Sequence, residues 1–196
     1  ETKVNIPDVI KTVSRLNLTD CVLVDCTASP EISQLYESAL KNRISVVAAN
    51  KIANTGPYKY YQKLHQLADK YNVHYLYETT AGAGLPIIDT IKSLLDSGDE
   101  IVKLEAILSG TISYIFNNFT AEQKFSEIVK QAQKKGFTEP DPRDDLNGKD
   151  FARKLLLLCR ELGEKMEMDD LEIEQLLPLS CQKAETVDQF YQELTQ

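Results

Sequence analysis

Short apolar runs that alternate with helical patterns are the feature that most restricts how this chain can fold. Cys21–Cys26 and Ile44–Ala48 are nearly continuous apolar runs of strand length, which is typical of strands buried on both faces of a parallel sheet. A third strand is predicted over residues 74–77. Helical patterns flank these strands over residues 7–17, 30–40 and about 58–71. Because strands that alternate with helices build a parallel sheet covered by helices, we expect an α/β fold.

The pattern changes after Gly84, which indicates a second structural unit. A strand is predicted over Ile101–Leu108. Helices are predicted over residues 86–96, 111–119, 126–135 and 147–163, the last with Phe151, Ala152, Leu155, Leu158 and Cys159 on its apolar face. The polar residues after Pro178 carry no motif. This change of pattern favours an α+β unit in the second half.

Composition excludes several classes of function. The 196 residues contain 22 Lys+Arg and 30 Asp+Glu, and the resulting net charge of −8 argues against a nucleic-acid partner. The longest aliphatic run, Leu155–Leu158, is far shorter than the ~20 apolar residues of a membrane-spanning helix, so no membrane partner is expected. The four cysteines have no C-x-x-C spacing, which predicts buried free thiols in the reducing cytoplasm.

The densest polar segment, Thr138–Asp150, is the first candidate site. Asp150 and Lys154 stand four residues apart on a predicted helix, so they share a face and can form an ion pair. A lysine held in this way can exchange a proton with a bound substrate. The alternative, which periodicity alone favours, is that these acids solvate a loop and cap a helix. A calcium-binding loop that starts at Asp141 is disfavoured, because Arg143 and Leu146 occupy positions that require an oxygen ligand and a glycine.

Two further candidates follow predicted strands. Asn50 and Lys51 end one strand, at the sheet edge where open α/β folds bind ligands, although a charged residue commonly closes a strand. Glu78–Pro86 contains a G-x-G turn that could approach a phosphate or expose carbonyl groups to a cation, and a purely structural turn explains it equally well. The dinucleotide-binding fingerprint G-x-G-x-x-G is not met, because Ile87 occupies the third glycine position.

Five segments together carry a resemblance to a known family. They are Val24–Ser29, Val47–Lys51, Gly82–Pro86, Leu108–Phe116 and Gly136–Gly148. In this order they resemble homoserine dehydrogenase, in particular the dehydrogenase part of fused aspartokinase–homoserine dehydrogenases. The resemblance covers about residues 7–178.

The resemblance implies a fold and a reaction. Residues 1–83 would be the remnant of an NAD(P)-binding domain with a partial Rossmann-like parallel sheet, and residues 84–178 an α+β substrate-binding and dimerisation domain. Residues 179–196 would be a tail that leads to a missing segment. The implied reaction is reversible hydride transfer between L-homoserine and L-aspartate 4-semialdehyde with NADP or NAD, in the biosynthesis of threonine, methionine and isoleucine. A homodimer is also implied.

The resemblance also assigns roles to individual residues. Lys154 matches the proton donor and acceptor at the substrate oxygen, Lys51 matches a second lysine between cofactor and substrate, and Asp150 matches the acid beside substrate and lysine. The matches to substrate-binding positions are Thr111, Phe137, Glu139, Asp145 and Asp150. The matches to cofactor contacts are Thr27, Ala28, Asn50 and Lys51. A monovalent-cation site, such as one for sodium, matches Glu78 and the main-chain carbonyls of Ala81, Ala83 and Leu85.

The sequence also departs from the family pattern. Phe137 stands where a tyrosine is common, and Ala28 replaces a frequent serine. The strand, Gly-rich loop and helix that hold the pyrophosphate are missing, as are the returning strands that complete the nucleotide domain. The first residues show neither an initiator Met nor a signal-peptide pattern. We therefore expect a fragment, truncated at both ends, whose parent is an enzyme and which alone binds NAD(P) poorly and does not turn over.

Two other functions are compatible with the residues to different degrees. The chain could be a non-catalytic binding or dimerisation module that keeps the fold of the substrate domain, and a cofactor titration distinguishes this from the enzyme. A dehydrogenase with a cysteine nucleophile is disfavoured, because no motif links Cys26 to a histidine base such as His74.

Overall fold

The structure, a computed structural model, describes residues 5–16, 18–174 and 176–194. Asn17, at the end of the first predicted helix, lies outside the described residues, as do both ends of the chain. Packing divides the chain into two units. The first contains the residues up to Ile101 together with Lys154–Asp170, and the second contains Val102–Arg153 together with the residues from Leu171 onward. The domain boundaries at residues 83 and 178, which concern the domains of the family, stay predictions.

The first unit is built on a parallel sheet, as the sequence predicts. Its elements in chain order are α1 (Ile6–Arg15), β1 (Val22–Asp25), α2 (Pro30–Ser33), α3 (Tyr36–Lys41), β2 (Ser45–Ala48), α4 (Ile52–Thr55), α5 (Tyr58–Tyr71), β3 (Tyr75–Leu76), α6 (Thr79–Gly82) and α7 (Ile87–Asp96). In the described ranges the sheet has three strands in the order β1-β2-β3, and both pairings are parallel. The helices between the strands are the crossover connections that parallel neighbours require. The α/β class is therefore confirmed.

Helices cover one face of this sheet and leave the other face exposed. Val46 and Tyr75 are paired in register on the covered face, where both are buried, and α3 and α5 pack against their strands. Val24, Val47 and Leu76 form a row on the opposite face and are 61%, 37% and 50% exposed. The prediction that these strands are buried on both faces is wrong for the described chain, because none of its helices covers this row.

The helices of the first unit follow the predicted pattern with one interruption. Helix α5 spans the predicted residues and ends at Asn72, whose left-handed backbone (φ 53°) stops the helix. The helix predicted over residues 30–40 is divided into α2 and α3. The break lies at Leu35, whose amide bonds the carbonyl of Ile32 at 3.0 Å in a tighter i,i+3 turn. Ser29 begins α2, because its hydroxyl accepts a hydrogen bond from the amide of Ile32 at 3.3 Å.

The second unit is helical. Its elements are α8 (Gly110–Asn118), α9 (Phe125–Lys134), α10 (Arg143–Leu146), the first part of α11 (Lys149–Glu161), α12 (Leu179–Lys183) and α13 (Val187–Glu193). Residues 101–109, which include the predicted strand Ile101–Leu108, have no regular secondary structure, and Val102 and Ile107 are 92% and 76% exposed. A strand requires a neighbour for its ladder hydrogen bonds, and the described residues of this unit include no other strand. The strand predicted over Ile101–Leu108 is therefore absent from the described part of the second unit.

The long helix α11 (Lys149–Glu161) is about two residues shorter at each end than the predicted 147–163, and a separate turn of helix, α10, precedes it. Gly148 separates the two with a left-handed backbone (φ 73°), which a glycine adopts without strain. Ala152 and Leu158 are buried, as expected from the apolar face, whereas Phe151 is 37% exposed. Leu156 is fully buried, although the helical pattern did not place it on that face.

A buried polar cluster fixes the C-terminal end of α11 within the first unit. Oε1 of Glu161 accepts hydrogen bonds from the hydroxyls of Tyr61 (2.8 Å) and Tyr77. Lys92 places its Nζ 3.3 Å from Oε2 of this carboxylate, whose side chain is only 2% exposed. The Tyr77 hydroxyl also lies 2.9 Å from Nε2 of His65. Burial lowers the pKa of His65, and the Glu161 carboxylate opposes that shift. These partners are what make a buried carboxylate tolerable.

Residues after Pro178 contribute to the core of the second unit. Phe190 and Cys181 are fully buried, and they pack with Ile115 of α8 and Ile128 of α9. Thr186 begins α13, since its hydroxyl accepts a hydrogen bond from the amide of Gln189 at 3.1 Å. The predicted tail therefore contains two packed helices in its described part.

The cysteines are free, as predicted, but they are not uniformly buried. Cys181 is buried, Cys21 and Cys159 are half-buried, and Cys26 is exposed. Burial raises the pKa of the Cys181 thiol. Searched for membrane spans, the described part of the chain yields no helix with the length and apolar character to cross a bilayer.

Truncation of Phe190 tests whether the C-terminal helices belong to the core. Because the side chain is 0% exposed, we expect Phe190→Ala to lower the free energy of unfolding by about 3–5 kcal/mol. Leu179→Ala is the control, since Leu179 is 69% exposed, and it should change stability by less than about 0.5 kcal/mol. Denaturant unfolding measures both, and equal effects of the two variants would contradict the packing described.

Candidate active site

The carboxyl ends of β1 and β2 bring together Asp25, Thr27 and Asn50. Asp25 is buried at the end of β1. Its Oδ1 accepts hydrogen bonds from the amide (2.8 Å) and the hydroxyl (2.7 Å) of Thr27. Its Oδ2 accepts hydrogen bonds from the Tyr36 hydroxyl at 2.5 Å and from Nδ2 of Asn50 at 3.1 Å. Four donors thus occupy one carboxylate, which holds the loop after β1 against the loop after β2.

The protonation of this network follows from its hydrogen bonds. Burial raises the pKa of the Asp25 carboxyl, but the hydrogen bonds from Tyr36, Thr27 and Asn50 outweigh burial and hold the pKa below its ordinary value. Burial and the contact with Asp25 both raise the pKa of Tyr36. Asp25 is therefore an anion at neutral pH, and Tyr36 is a neutral donor. The sequence prediction missed Asp25, although an acid that ends an apolar strand was an available signal.

Asn50, a predicted cofactor contact, is buried and fully engaged by its surroundings. Besides Asp25, its Nδ2 donates to the carbonyl of Ser29 at 2.9 Å. Its Oδ1 accepts a hydrogen bond from the amide of Ile52 at 3.0 Å. The side chain therefore braces the edge of the sheet, and any contact with a ligand would come from the backbone beside it.

The other predicted contacts of this edge face outward. Thr27 and Ala28 are exposed in the loop that follows β1, and Lys51 is half-buried directly before α4. The carbonyl of Lys51 accepts hydrogen bonds from the amides of Asn54 (3.1 Å) and Thr55 (3.0 Å), so its backbone is the start of that helix. In open α/β sheets this edge is the place where ligands bind.

Glu78 caps a helix. Its Oε1 accepts a hydrogen bond from the amide of Ile88 (2.8 Å), and its Oε2 accepts one from the amide of Asp89 (3.0 Å). A carboxylate at the N-terminus of α7 is stabilising, because these amides have no partner within the helix. Each oxygen of an ionised carboxylate has a second acceptor site, so this contact leaves capacity for another ligand.

The G-x-G turn before α7 is packed at its first glycine and open at its second, since nothing lies within 4 Å of a Cβ atom built at Gly84. A Cβ atom at Gly82 would lie 2.2 Å from Cδ1 of Ile87, so glycine is required there for close packing. Ala83 has a left-handed backbone (φ 52°), which is strained for a residue with a side chain. Ala81 is buried and Leu85 is 65% exposed. In the described residues no group of His, Cys, Asp and Glu side chains could hold a metal ion, so carbonyl groups would have to supply most ligands.

Four of the predicted substrate residues meet in the second unit. The Thr111 hydroxyl lies 2.5 Å from the carbonyl oxygen of Phe137 and 3.1 Å from Oδ1 of Asp145. The amide of Glu139 donates to Oδ2 of Asp145 at 2.8 Å. Because a hydroxyl has one proton, Thr111 serves one of its two acceptors at a time. The half-buried Asp145 carboxylate therefore keeps unused acceptor capacity, whereas Asp25 has none.

The Phe137 ring packs on a neighbouring aromatic ring. Its centroid lies 4.7 Å from that of Tyr114, and the side chain remains 49% exposed. The backbone carbonyl of Phe137 joins the Thr111 network, while its side chain brings no hydroxyl.

A polar cleft lies beside the same acidic loop. It has a volume of about 340 Å³ and is lined by Asp144, Asn147 and Lys149 among others. Its wall is held by Arg143, which bonds Asp141 through Nε (2.9 Å) and donates to the carbonyl of Ala184. Arg143 lowers the pKa of Asp141. The sequence prediction assigned no role to this pair, which joins the acidic loop to the C-terminal helices of the second unit.

Asp150 and Lys154 both lie on α11, one helical turn apart, and both are half-buried. The amide of Lys149 donates to Oδ1 of Asn147 at 2.9 Å, which helps to begin the helix. The prediction that the two residues share a helix is confirmed. Packing assigns Lys154 to the first unit, with Lys51, and Asp150 to the second, with Asp145.

The fold and these residues define a class of protein. A parallel sheet with polar side chains at the carboxyl ends of its strands is characteristic of nucleotide-binding α/β enzymes. The family model described as homoserine dehydrogenase, NAD binding domain, matches residues 2–78, and the model described as homoserine dehydrogenase matches residues 86–195. The chain belongs to the homoserine dehydrogenase family, a family of NAD(P)-dependent oxidoreductases.

Individual relatives agree with this assignment. The chain is 48% identical over 179 residues to bifunctional aspartokinase/homoserine dehydrogenase 2, chloroplastic, of Arabidopsis thaliana, covering 91% of this chain and 20% of that protein. A crystal structure of a Candida auris protein of unknown function superposes with a TM-score of 0.92 at 32% identity, covering 99% of this chain and 56% of the other. A hyperthermophilic archaeal homoserine dehydrogenase in complex with NADPH superposes with a TM-score of 0.65 at 30% identity, covering 73% of this chain and 44% of the other. The chain thus spans about a fifth of the curated relative and about half of the solved structures.

Neutralising Asp25 tests the network at the sheet edge. In Asp25→Asn an NH₂ group replaces one carboxylate oxygen, so the donors that faced this oxygen lose their acceptor. We therefore expect the free energy of unfolding of the variant to fall by about 2 kcal/mol at pH 7. Because the folded chain holds the pKa of Asp25 below its ordinary value, the wild-type contribution is complete above about pH 4 and is lost as the pH falls through the folded pKa. Denaturant unfolding at several pH values measures this.

The exposed Asp96 at the end of α7 provides the control, since Asp96→Asn should leave the stability almost unchanged at each pH. A stability difference between wild type and Asp25→Asn that stays constant below pH 4 would show that the charge of Asp25 has no part in the network.

Proposed function

We propose that the chain carries the substrate-binding and proton-transfer residues of a homoserine dehydrogenase, which interconverts L-homoserine and L-aspartate 4-semialdehyde with NAD(P). The observation that carries this proposal is the Asp145 network, in which the Thr111 hydroxyl and the Glu139 amide converge on one carboxylate with unused acceptor capacity, and the Phe137 carbonyl accepts from the same hydroxyl. Membership of the family supports the reaction.

The Asp145 network suits the amino-acid part of the substrate. An ammonium group is a donor of hydrogen bonds without acceptors, so it requires carboxylates. Asp145 offers a carboxylate in a fixed orientation, because the Glu139 amide donates a hydrogen bond to its Oδ2. The exposed carboxylate of Glu139 stands beside it in the chain. We assign the substrate ammonium to these two acids.

Proton transfer is assigned to Lys154. When bound, NAD(P) would supply the acceptor for the hydride that leaves the carbon carrying the homoserine hydroxyl. The hydroxyl proton must leave at the same time, and the neutral amine of Lys154 takes it; in the reverse reaction the ammonium returns it. Lys51 supplies positive charge at the oxygen, and Asp150, one turn before Lys154 on α11, orients the amine.

The cofactor is assigned to the carboxyl edge of the sheet, with Thr27, Ala28, Asn50 and Lys51 as contacts. The fit is partial. Exposed backbone at residues 27 and 28 and the backbone beside Asn50, which the Asn50 side chain braces, suit the ribose and nicotinamide end of NAD or NADP. Gly82 does not suit the close approach of a pyrophosphate, because the Ile87 side chain fills the space beside its backbone. The archaeal relative was solved with NADPH, which supports the phosphorylated cofactor without excluding NAD.

A monovalent cation, such as sodium, is assigned to the turn before α7. The carbonyl groups of Ala81, Ala83 and Leu85 and the second acceptor sites of Glu78 are oxygen ligands of the kind that a hard cation prefers. The strained backbone of Ala83 supports this assignment, since such strain is often retained where carbonyl groups must point at a ligand.

The setting of the reaction follows from the family. We propose that the protein acts in the aspartate pathway to threonine, methionine and isoleucine, as a homodimer in the cytoplasm; several plant relatives are named as chloroplastic. The exposed side chains of Val102 and Ile107 support a partner for the second unit.

Replacement of Lys154 tests the reaction. In the full-length protein, Lys154→Ala should lower kcat for homoserine oxidation by about 10²–10⁴-fold, because no group remains to take the hydroxyl proton, with NADPH binding by fluorescence within about twofold of wild type. The matched control is Lys134→Ala, an exposed lysine of α9, which should keep full activity.

The outcomes distinguish the enzyme from the non-catalytic module. Turnover of Lys154→Ala at the wild-type rate would contradict the proton-transfer role. A full-length protein that binds homoserine but does not oxidise it would favour the module. For the 196-residue chain alone we expect weak NADPH binding, and tight binding with turnover would show that its described residues suffice to hold the pyrophosphate.

A further inference from the structure

Arg160 is a buried cation that the proposed reaction does not use. It lies on the part of α11 that belongs to the first unit, six residues after Lys154, which corresponds to about 9 Å along the helix axis. Its side chain is 0% exposed. A charge removed from water in this way is tolerated only where hydrogen bonds and counter-charges replace the water.

Each nitrogen of the guanidinium has a hydrogen-bond partner. Nε and Nη2 donate to the carbonyl of Met166 at 3.1 and 2.8 Å, and Nη2 lies 3.1 Å from Oε2 of Glu167. The group also stacks over the rings of Tyr58 and Tyr61, at 5.5 and 5.4 Å from their centroids. The planar fork of an arginine matches this arrangement, and the ammonium of a lysine does not.

The remaining donor reaches the helix that starts at Lys51. Nη1 of Arg160 donates to the backbone carbonyl of Asn54 at 2.6 Å. Asn54 belongs to the same helical turn as Lys51, because its amide donates to the Lys51 carbonyl at 3.1 Å. The side chain of Asn54 is fixed as well, since the Tyr75 hydroxyl donates to its Oδ1 at 2.7 Å. Arg160 therefore joins α4, which follows Lys51, directly to α11, which carries Lys154.

We propose that Arg160 is a positioning residue that sets the backbone of Lys51 relative to Lys154. This inference rests on the proposed function, in which both lysines act at one substrate oxygen. A displacement of about 1 Å between groups that act together can cost about 100-fold in rate. The link through the Asn54 carbonyl thus controls the chemical step, whereas binding of the substrate depends on residues that Arg160 does not touch.

Arg160→Lys is the test, because it keeps the charge and removes the fork. In the full-length protein we expect kcat for homoserine oxidation to fall about 10- to 100-fold while KM for homoserine changes by less than about twofold. Leu40→Ala is the matched control for loss of stability: it removes a fully buried side chain of α3 and leaves every partner of Arg160 in place. It should lower the melting temperature and keep kcat when assayed below its melting temperature.

A second variant keeps the test decisive where Arg160→Lys does not fold. Glu167→Gln removes the counter-charge of the guanidinium from a side chain that is 50% exposed, so the fold is retained. We expect a smaller fall in kcat, about threefold, again with an unchanged KM. An unchanged kcat in a folded Arg160→Lys, or in Glu167→Gln where the first variant is unfolded, overturns the positioning role. So does a rise in KM without a fall in kcat.

Lys154→Ala in the same assay separates this inference from the proposed function. Loss of turnover in Lys154→Ala with full kcat in Arg160→Lys overturns the positioning role alone. Turnover in Lys154→Ala equal to that of wild type, or no homoserine oxidation by wild type, overturns the proposed function and the positioning role together.

Discussion

The buried carboxylate of Asp25 is the interaction on which the carboxyl edge of the sheet depends. Neither loop at this edge could hold its shape through apolar packing, since both consist largely of polar or exposed residues. The carboxylate solves this by accepting four hydrogen bonds, from Thr27, Tyr36 and Asn50, in a site where water cannot compete. The backbone that would face a cofactor is therefore ordered before any cofactor binds, which reduces the entropy lost on binding.

The second unit uses a carboxylate in a different way. Asp145 has one firm hydrogen bond and shares a hydroxyl proton with the carbonyl of Phe137. A carboxylate with all acceptor sites filled serves the structure, and one with open sites can bind an ammonium group. The contrast between Asp25 and Asp145 gives a physical reason to assign the first to the scaffold and the second to the substrate.

Sequence patterns predicted the elements that depend on local periodicity. The parallel strands, α5 and α7 follow from apolar spacing, and five segments, from Val24–Ser29 to Gly136–Gly148, indicated the family. Effects that arise only in three dimensions were not predictable in this way. The role of Asp25 depends on Tyr36 and Asn50, which are distant in the chain. The exposure of the row formed by Val24, Val47 and Leu76 depends on which helices cover the sheet. Residues 101–109 have a strand pattern, but a strand forms only where another strand lies beside it, and the described residues of the second unit include no strand.

The most direct test of the account is to map where L-homoserine binds, by amide chemical shifts of the ¹⁵N-labelled protein. We predict perturbations centred on the amides of Thr111 and Glu139, lost in Asp145→Asn and retained in the exposed control Asp188→Asn. Perturbations that persist in Asp145→Asn, or that lie only around Asp25, would contradict the assignment of the substrate to the Asp145 network.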